Sequence, residues 1–276
     1  MQRVYGRSVT AVRSTGAAHP VPDAAPAPPV SSVDAAPARR DGPWRARLLA
    51  ACEVLLCSSL PTQVVAQYAI VAAGVQPWMS PGVPTLRFLA LAQLADAGLL
   101  IGLMVWITRL HRDDPRTLWL GTRPWLRECR LGILLVPVVF ALVAGALVVL
   151  AFIAPGLHNI EQNPFEPLLS TPVRSGIMVV VVIIAGGVRE ELQRAFLLQR
   201  FERHLGGAGV GVVVLSLAFG AGHYLQGWDA AVATGLVGGF WALIYLRRRS
   251  VVAPMVSHAV FDVLEVLRAT LGPIAP

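Results

Sequence analysis

Residues Leu131–Ala154 read LGILLVPVVFALVAGALVVLAFIA, a stretch without a single charged side chain. A helix crossing a bilayer needs roughly 20 predominantly apolar residues at about 1.5 Å rise each, and this run supplies them.

The rest of the composition agrees with it. The chain has 276 residues, 55% hydrophobic and 14% charged, against roughly 25% charged in a soluble globular domain. Mean hydropathy is +0.62. Lys and Arg outnumber Asp and Glu by 23 to 16, a formal net charge of +7. So apolar a chain does not fit a nucleic-acid binder, whose affinity comes from a basic face. Cys52, Cys57 and Cys129 cannot make a disulfide framework and are expected to be small apolar fillers.

Six further apolar stretches flank the first: Leu48–Gly74, Phe88–Ile107, Ser175–Phe201, Leu205–Tyr224, Ala230–Leu246 and Val251–Leu271. Leu48–Gly74 is the weakest, since Glu53, Gln63 and Gln67 interrupt it and Pro61 predicts a kink. The expectation is an all-α, polytopic transmembrane bundle of about seven helices, with one of the later, shorter ones open to a re-entrant reading. Residues 1–43, with Pro20, Pro22, Pro26, Pro28, Pro29, Pro37 and Pro43 and no helical period, predict a disordered Pro/Ala-rich tail without a cleavable signal. Residues 44–276 then form the transmembrane domain.

Basic residues in short loops set the expected orientation. They cluster at Arg39–Arg47, at Arg109–Arg130 and in the triplet Arg247–Arg249. An even number of spans between clusters puts all three on one side, which predicts a multi-pass protein with a cytoplasmic N-terminus and an external C-terminus. Trp44, Trp78, Trp119, Trp125 and Trp228 flank apolar runs and are expected in an interfacial belt.

Charge at bilayer depth is costly and points to function. The helix containing Gly186-Gly187 continues into Arg189-Glu190-Glu191-Leu192-Gln193-Arg194 and then into the apolar Ala195–Leu198. Glu190 and Arg194, at i and i+4, share a face and are expected to pair, while Glu191 points about 100° away. Phe219-Gly220-Ala221-Gly222-His223 ends the next helix, where small residues allow close approach. A hairpin about Gly206–Gly209 would bring Glu190 and His223 to one depth, each about 21 Å from the turn. His258 and Asp262, again i and i+4, lie on the last helix, with His258 about 14 Å beyond Arg249. Each cluster alone has a local reading, an ion pair or a hydrogen bond, and for a lone histidine such as His223 a hydrogen-bonded place in the core is the commoner one. Their concentration in the last third of the chain is what favours a shared site. Asp96 and Glu53 are noted without a role.

A double glutamate followed by arginine, then Phe-x-x-x-His, then His-x-x-x-Asp, each on its own apolar helix, resembles the CAAX-protease and bacteriocin-processing (CPBP, or Abi) family of intramembrane proteases. The resemblance covers about residues 174–272. Its first motif departs from the pattern, with two residues rather than three between Glu190-Glu191 and Arg194. Holding the glutamates fixed puts Ala195 at the arginine position; holding Arg194 fixed puts Arg189 at the first glutamate position. The first alignment is preferred because the chemistry needs a carboxylate.

The resemblance implies an intramembrane endopeptidase with Glu190, Glu191, Arg194, His223, His258 and Asp262 as its catalytic set. Glu191 and Arg194 stand behind the others as support, and either glutamate is open as the primary carboxylate. Glu190, His223 and His258 are the expected ligands of a divalent metal, zinc first, whose bound water would attack the peptide. In a metal-free scheme Glu190 and His223 polarise the water while His258 and Asp262 serve the oxyanion. With a metal, Asp262 becomes a ligand or orients His258. The implied partners are a membrane-associated protein or peptide substrate and the lipid bilayer, not nucleic acid, and the expected location is a bacterial inner membrane. Two alternatives remain open: a non-catalytic membrane partner or immunity protein of the same fold, and an ion- or proton-coupled transporter, which matched inverted repeats would favour.

Overall fold

In the computed structural model, residues 43–160 and 163–272 are described. The expected tail lies outside them, apart from Pro43, which begins the first helix. That helix, α1 (Pro43–Leu56), is followed by α2 (Leu60–Ala72), α3 (Leu86–Leu110), a short α4 (Pro115–Trp119) and α5 (Trp125–Ile153). After short 3-10 turns at Pro155–Leu157 and Glu166–Leu169, one long helical rod runs from Pro172 to His204, comprising α6 (Pro172–Val181), a π-helical stretch Val182–Glu190 and α7 (Glu191–His204). α8 (Ala208–Ala221), α9 (Trp228–Arg248) and α10 (Val252–Leu271) complete the chain.

The all-α expectation holds, with one small addition: strands β1 (Trp78–Ser80) and β2 (Val83–Pro84) pair antiparallel, and Gly82 between them takes φ +79°, a value that favours glycine. Among the described residues, five helical segments are long and apolar enough to cross a membrane: Trp44–Ala72, Leu86–Leu110, Trp125–Ile153, Pro172–His204 and Trp228–Arg248. The protein is an integral, multi-pass membrane protein. Its outward faces carry the residues that lipid tolerates, with Phe152 84%, Leu134 71% and Leu217 70% exposed.

The weak first stretch is divided where its proline predicted trouble. The break falls just before Pro61, with Ser59 at φ 71°. Further along, Asp114 caps α4, accepting from the amides of Arg116 and Thr117; together with the Thr117 hydroxyl these hold its carboxyl below the usual range.

Glycines set how closely the helices of the site approach. A Cβ on Gly187 would lie 2.6 Å from the Ala259 Cβ, and one on Gly186 would lie 2.5 Å from Asp262 Oδ2, so α10 packs directly on the π stretch. A Cβ on Gly238 would meet the Phe219 ring at 2.6 Å, which brings α8 and α9 together.

The described members of the three basic clusters gather at one end of the bundle. Arg248 pairs with Glu128, and Arg123 Nε donates to the Arg248 carbonyl at 2.9 Å. Arg249 grips Glu202 through two 2.6 Å bonds, and Arg203 meets Asp113 at 2.6 Å. Arg47 lines one crevice with Glu202, Arg203 and His204. At the other end His158 binds Asp229 at 2.7 Å and Asn159 accepts from the Trp228 amide at 2.9 Å.

One tryptophan departs from the expected belt. Trp44, Trp78, Trp125 and Trp228 are exposed, but Trp119 is 7% exposed and its Nε1 donates to the Leu192 carbonyl at 3.0 Å. Its flanking position suggested an interface; α4 instead folds back onto α7 and buries the indole.

Candidate active site

The π stretch, α7 and α10 bring three of the sequence-selected carboxylates, Glu190, Glu191 and Asp262, around the imidazole of His258. His258, 4% exposed, lies against Trp241 of α9 with ring centroids 3.9 Å apart and planes 22° from parallel. The Phe219 ring meets it edge-on at 6.1 Å. Trp241 Nε1 donates to Ser257 Oγ at 3.2 Å, which fixes the indole. His258 Nδ1 donates to Glu191 Oε1 at 2.9 Å. Its Nε2 faces two other carboxylates, Asp262 Oδ2 at 3.4 Å and Glu190 Oε2 at 3.9 Å.

The two adjacent glutamates have different surroundings. Glu191 is 1% exposed and is held between His258 and the Arg194 guanidinium. The Glu190 side chain is more open and is approached by Arg189 NH1 at 3.7 Å from its Oε1. The expected Glu190–Arg194 pair is therefore not the one formed. Glu190 ends the π stretch whereas Glu191 opens the α-helix, where Arg194 at i+3 shares its face. Arg194 also lies 4.7 Å from the Phe219 ring and 5.6 Å from the Trp241 ring, which lowers the cost of burying its charge.

His223 occupies a more peripheral place. It follows the end of α8, half-buried, with Nδ1 donating to the Phe219 carbonyl at 2.8 Å and its ring 4.8 Å from that of Phe219. It forms no ion pair with Glu190 or Asp262 among the described residues, so Phe219 is its link to Arg194 and His258.

The donor chemistry suits a metal: with Nδ1 of each histidine bound to an acceptor, each Nε2 is left bare when the ring is neutral. The spacing does not, since among the described residues no group of three or more His, Cys, Asp or Glu side chains is arranged to hold an ion.

Trp241 and Arg189 belong to this region and were not singled out from the sequence. Trp241 is one aromatic in an apolar helix and carries no local signal. Arg189 was visible only as part of the charged run.

Fold and cluster together define a class: a helical membrane protein with a Glu, His and Asp cluster embedded among its spans. Residues 172–264 match the family model described as Rce1-like, type II CAAX prenyl endopeptidase Rce1-like, which bears out the CPBP resemblance. The matched segment contains all six residues of the proposed set and none of the helices before Pro172. At the level of the family this supports a CAAX-type intramembrane peptidase with membrane-associated protein substrates. No curated protein and no solved structure matches the chain.

Proposed function

We propose that this protein is an intramembrane endopeptidase that hydrolyses membrane-associated substrates with a water activated by Glu190 and His258. The observation carrying the reading is the division of labour around His258: Glu191 fixes Nδ1, leaving Nε2 directed at Glu190 and Asp262. A 3.9 Å separation between Glu190 Oε2 and Nε2 is long for a direct hydrogen bond and suits two groups sharing one water.

Glu190 removes a proton from that water as its oxygen bonds to the scissile carbonyl carbon, and the resulting carboxylic acid passes the proton to the leaving amine. His258 Nε2 accepts a hydrogen bond from the water's second O–H, which stays on the attacking oxygen, and so sets the direction of attack. Asp262, as the neutral acid, donates to the oxyanion. Glu191 and Arg194 hold the imidazole, as an orienting carboxylate does in other imidazole-based sites. His223 offers its Nε2 from the end of α8.

The test is turnover of quenched-fluorescent membrane peptides, with and without a prenylated C-terminal cysteine, by the purified full chain. Glu190→Gln and His258→Ala are each expected to reduce kcat by about 100-fold or more. If Glu190→Gln and Glu191→Gln both keep full activity, the reading fails.

A second form of the reading is metal-dependent: the two bare Nε2 atoms have the right chemistry, but Glu190, His223 and His258 as spaced here do not hold an ion, and only by drawing together would they hold a divalent cation, zinc first, which when bound would supply a water of lowered pKa. Metal content of the wild type and of His223→Ala, with activity after chelation, separates the two forms.

A further inference from the structure

A second buried polar cluster stands behind Glu190, and most of it comes from helices outside the matched segment. Asp96 is 0% exposed in the middle of α3. Its Oδ1 accepts from Thr62 Oγ1 of α2 at 2.5 Å. Its Oδ2, with no hydrogen-bond partner, lies 3.4 Å from Arg189 NH2. Arg189, 4% exposed, donates through NH1 to Ser59 Oγ at 3.2 Å and Gln193 Oε1 at 3.4 Å, and through NH2 to Gln93 Oε1 at 3.5 Å. Gln193 in turn donates to the Cys57 carbonyl at 2.7 Å, in the break between α1 and α2.

Stability alone is a poor reason for this arrangement. A buried ion pair is often no more stabilising than apolar side chains of the same volume. What the pair adds is placement. Arg189 NH1 is 3.7 Å from Glu190 Oε1, while the other oxygen, Oε2, is the one facing His258 Nε2. The guanidinium is a rigid fork, so a group fixed at one prong by Asp96 presents the other at a defined point.

We infer that Arg189, anchored by Asp96, is a positioning residue for Glu190: it engages Oε1 and thereby turns Oε2 toward the imidazole. The helices before residue 172 thus complete the site rather than merely enclose it. This inference rests on the peptidase reading above.

The experiment compares Asp96→Asn, Arg189→Lys, Arg189→Met and the double variant Asp96→Asn/Arg189→Met, each as the full chain in micelles. Each single change is expected to lower kcat by about 100-fold, the scale of a small misplacement of a reacting group. KM is expected to stay within about twofold, since the lost contact is not to substrate. Asp96→Asn and Arg189→Met should lower Tm by leaving one buried charge uncompensated. The double variant, which removes both charges, should regain Tm but not kcat. Arg189→Lys keeps the charge without the fork and serves if Arg189→Met fails to fold: Tm near wild type with low kcat is expected. Recovery of kcat together with Tm in the double variant, or unchanged kcat in the singles, overturns the inference. If the wild type hydrolyses nothing, the peptidase reading fails and this one is judged on Tm alone. The shifts of Arg189→Met (or Arg189→Lys) and Glu190→Gln should then depart from additivity by about 2 °C or more, and additive shifts overturn it.

Discussion

Glu190 and Glu191 are neighbours in the chain, yet one faces a gap between carboxylate and imidazole and the other is enclosed by cations and aromatic rings. The difference predicts different responses to the same substitution. Glu191→Gln leaves Arg194 buried without its counter-ion, so it is expected to destabilise the fold by about 3–5 kcal/mol, measured by denaturant unfolding in mixed micelles. Glu190→Gln should lose turnover with a smaller loss of stability, because its side chain reaches the more open side of the cluster. The sequence made both glutamates candidates from their charge at membrane depth. It could not divide their roles, because whether Arg194 pairs at i+3 or i+4 is settled by where the imidazole of a helix 67 positions away arrives.

At the scale of elements, the rod from Pro172 to His204 departs from a plain α-helix just where its first motif departs from the family pattern. The π turn closes i→i+5 hydrogen bonds and so takes up more residues than an α turn, and it ends at Glu190, one residue before the shortened interval to Arg194. α10 presses on this turn at Gly186 and Gly187. Gly186→Ala would place a methyl 2.5 Å from Asp262 Oδ2, so it is expected to displace Asp262 and reduce kcat by 10-fold or more, about 1.4 kcal/mol in the barrier. Gly176→Ala, whose added Cβ meets nothing within 4 Å, is the control and should leave turnover unchanged. Helix existence was legible from apolar length alone, as Leu131–Ala154 and α5 show. The π turn was not, since nothing in VIIAGGVRE distinguishes it from ordinary helix before α10 is packed against it.

At the scale of the whole molecule, ion pairs between the ends of separate helices and the loops beside them meet at one end: Arg248 with Glu128, Arg249 with Glu202 and Arg203 with Asp113. Parity counting from the basic clusters anticipated that they would share a side. It was blind to the pairing, since acidic partners such as Glu128 are spread over several helices. Single cysteines placed at Arg47, Arg112 and Arg247 are therefore expected to react with an impermeant thiol reagent from the same side of sealed vesicles, and one at Ser170 from the other, in a background where Cys52, Cys57 and Cys129 are Ala.

The acidic groups at that end are largely matched to arginines, while Arg109, Arg112, Arg127, Arg130 and Arg247 have no acidic partner among the described residues. An unmatched cation at the headgroup level attracts anionic lipid by about 1 kcal/mol. This rim is therefore expected to gather anionic lipid in the leaflet beside it relative to the leaflet opposite.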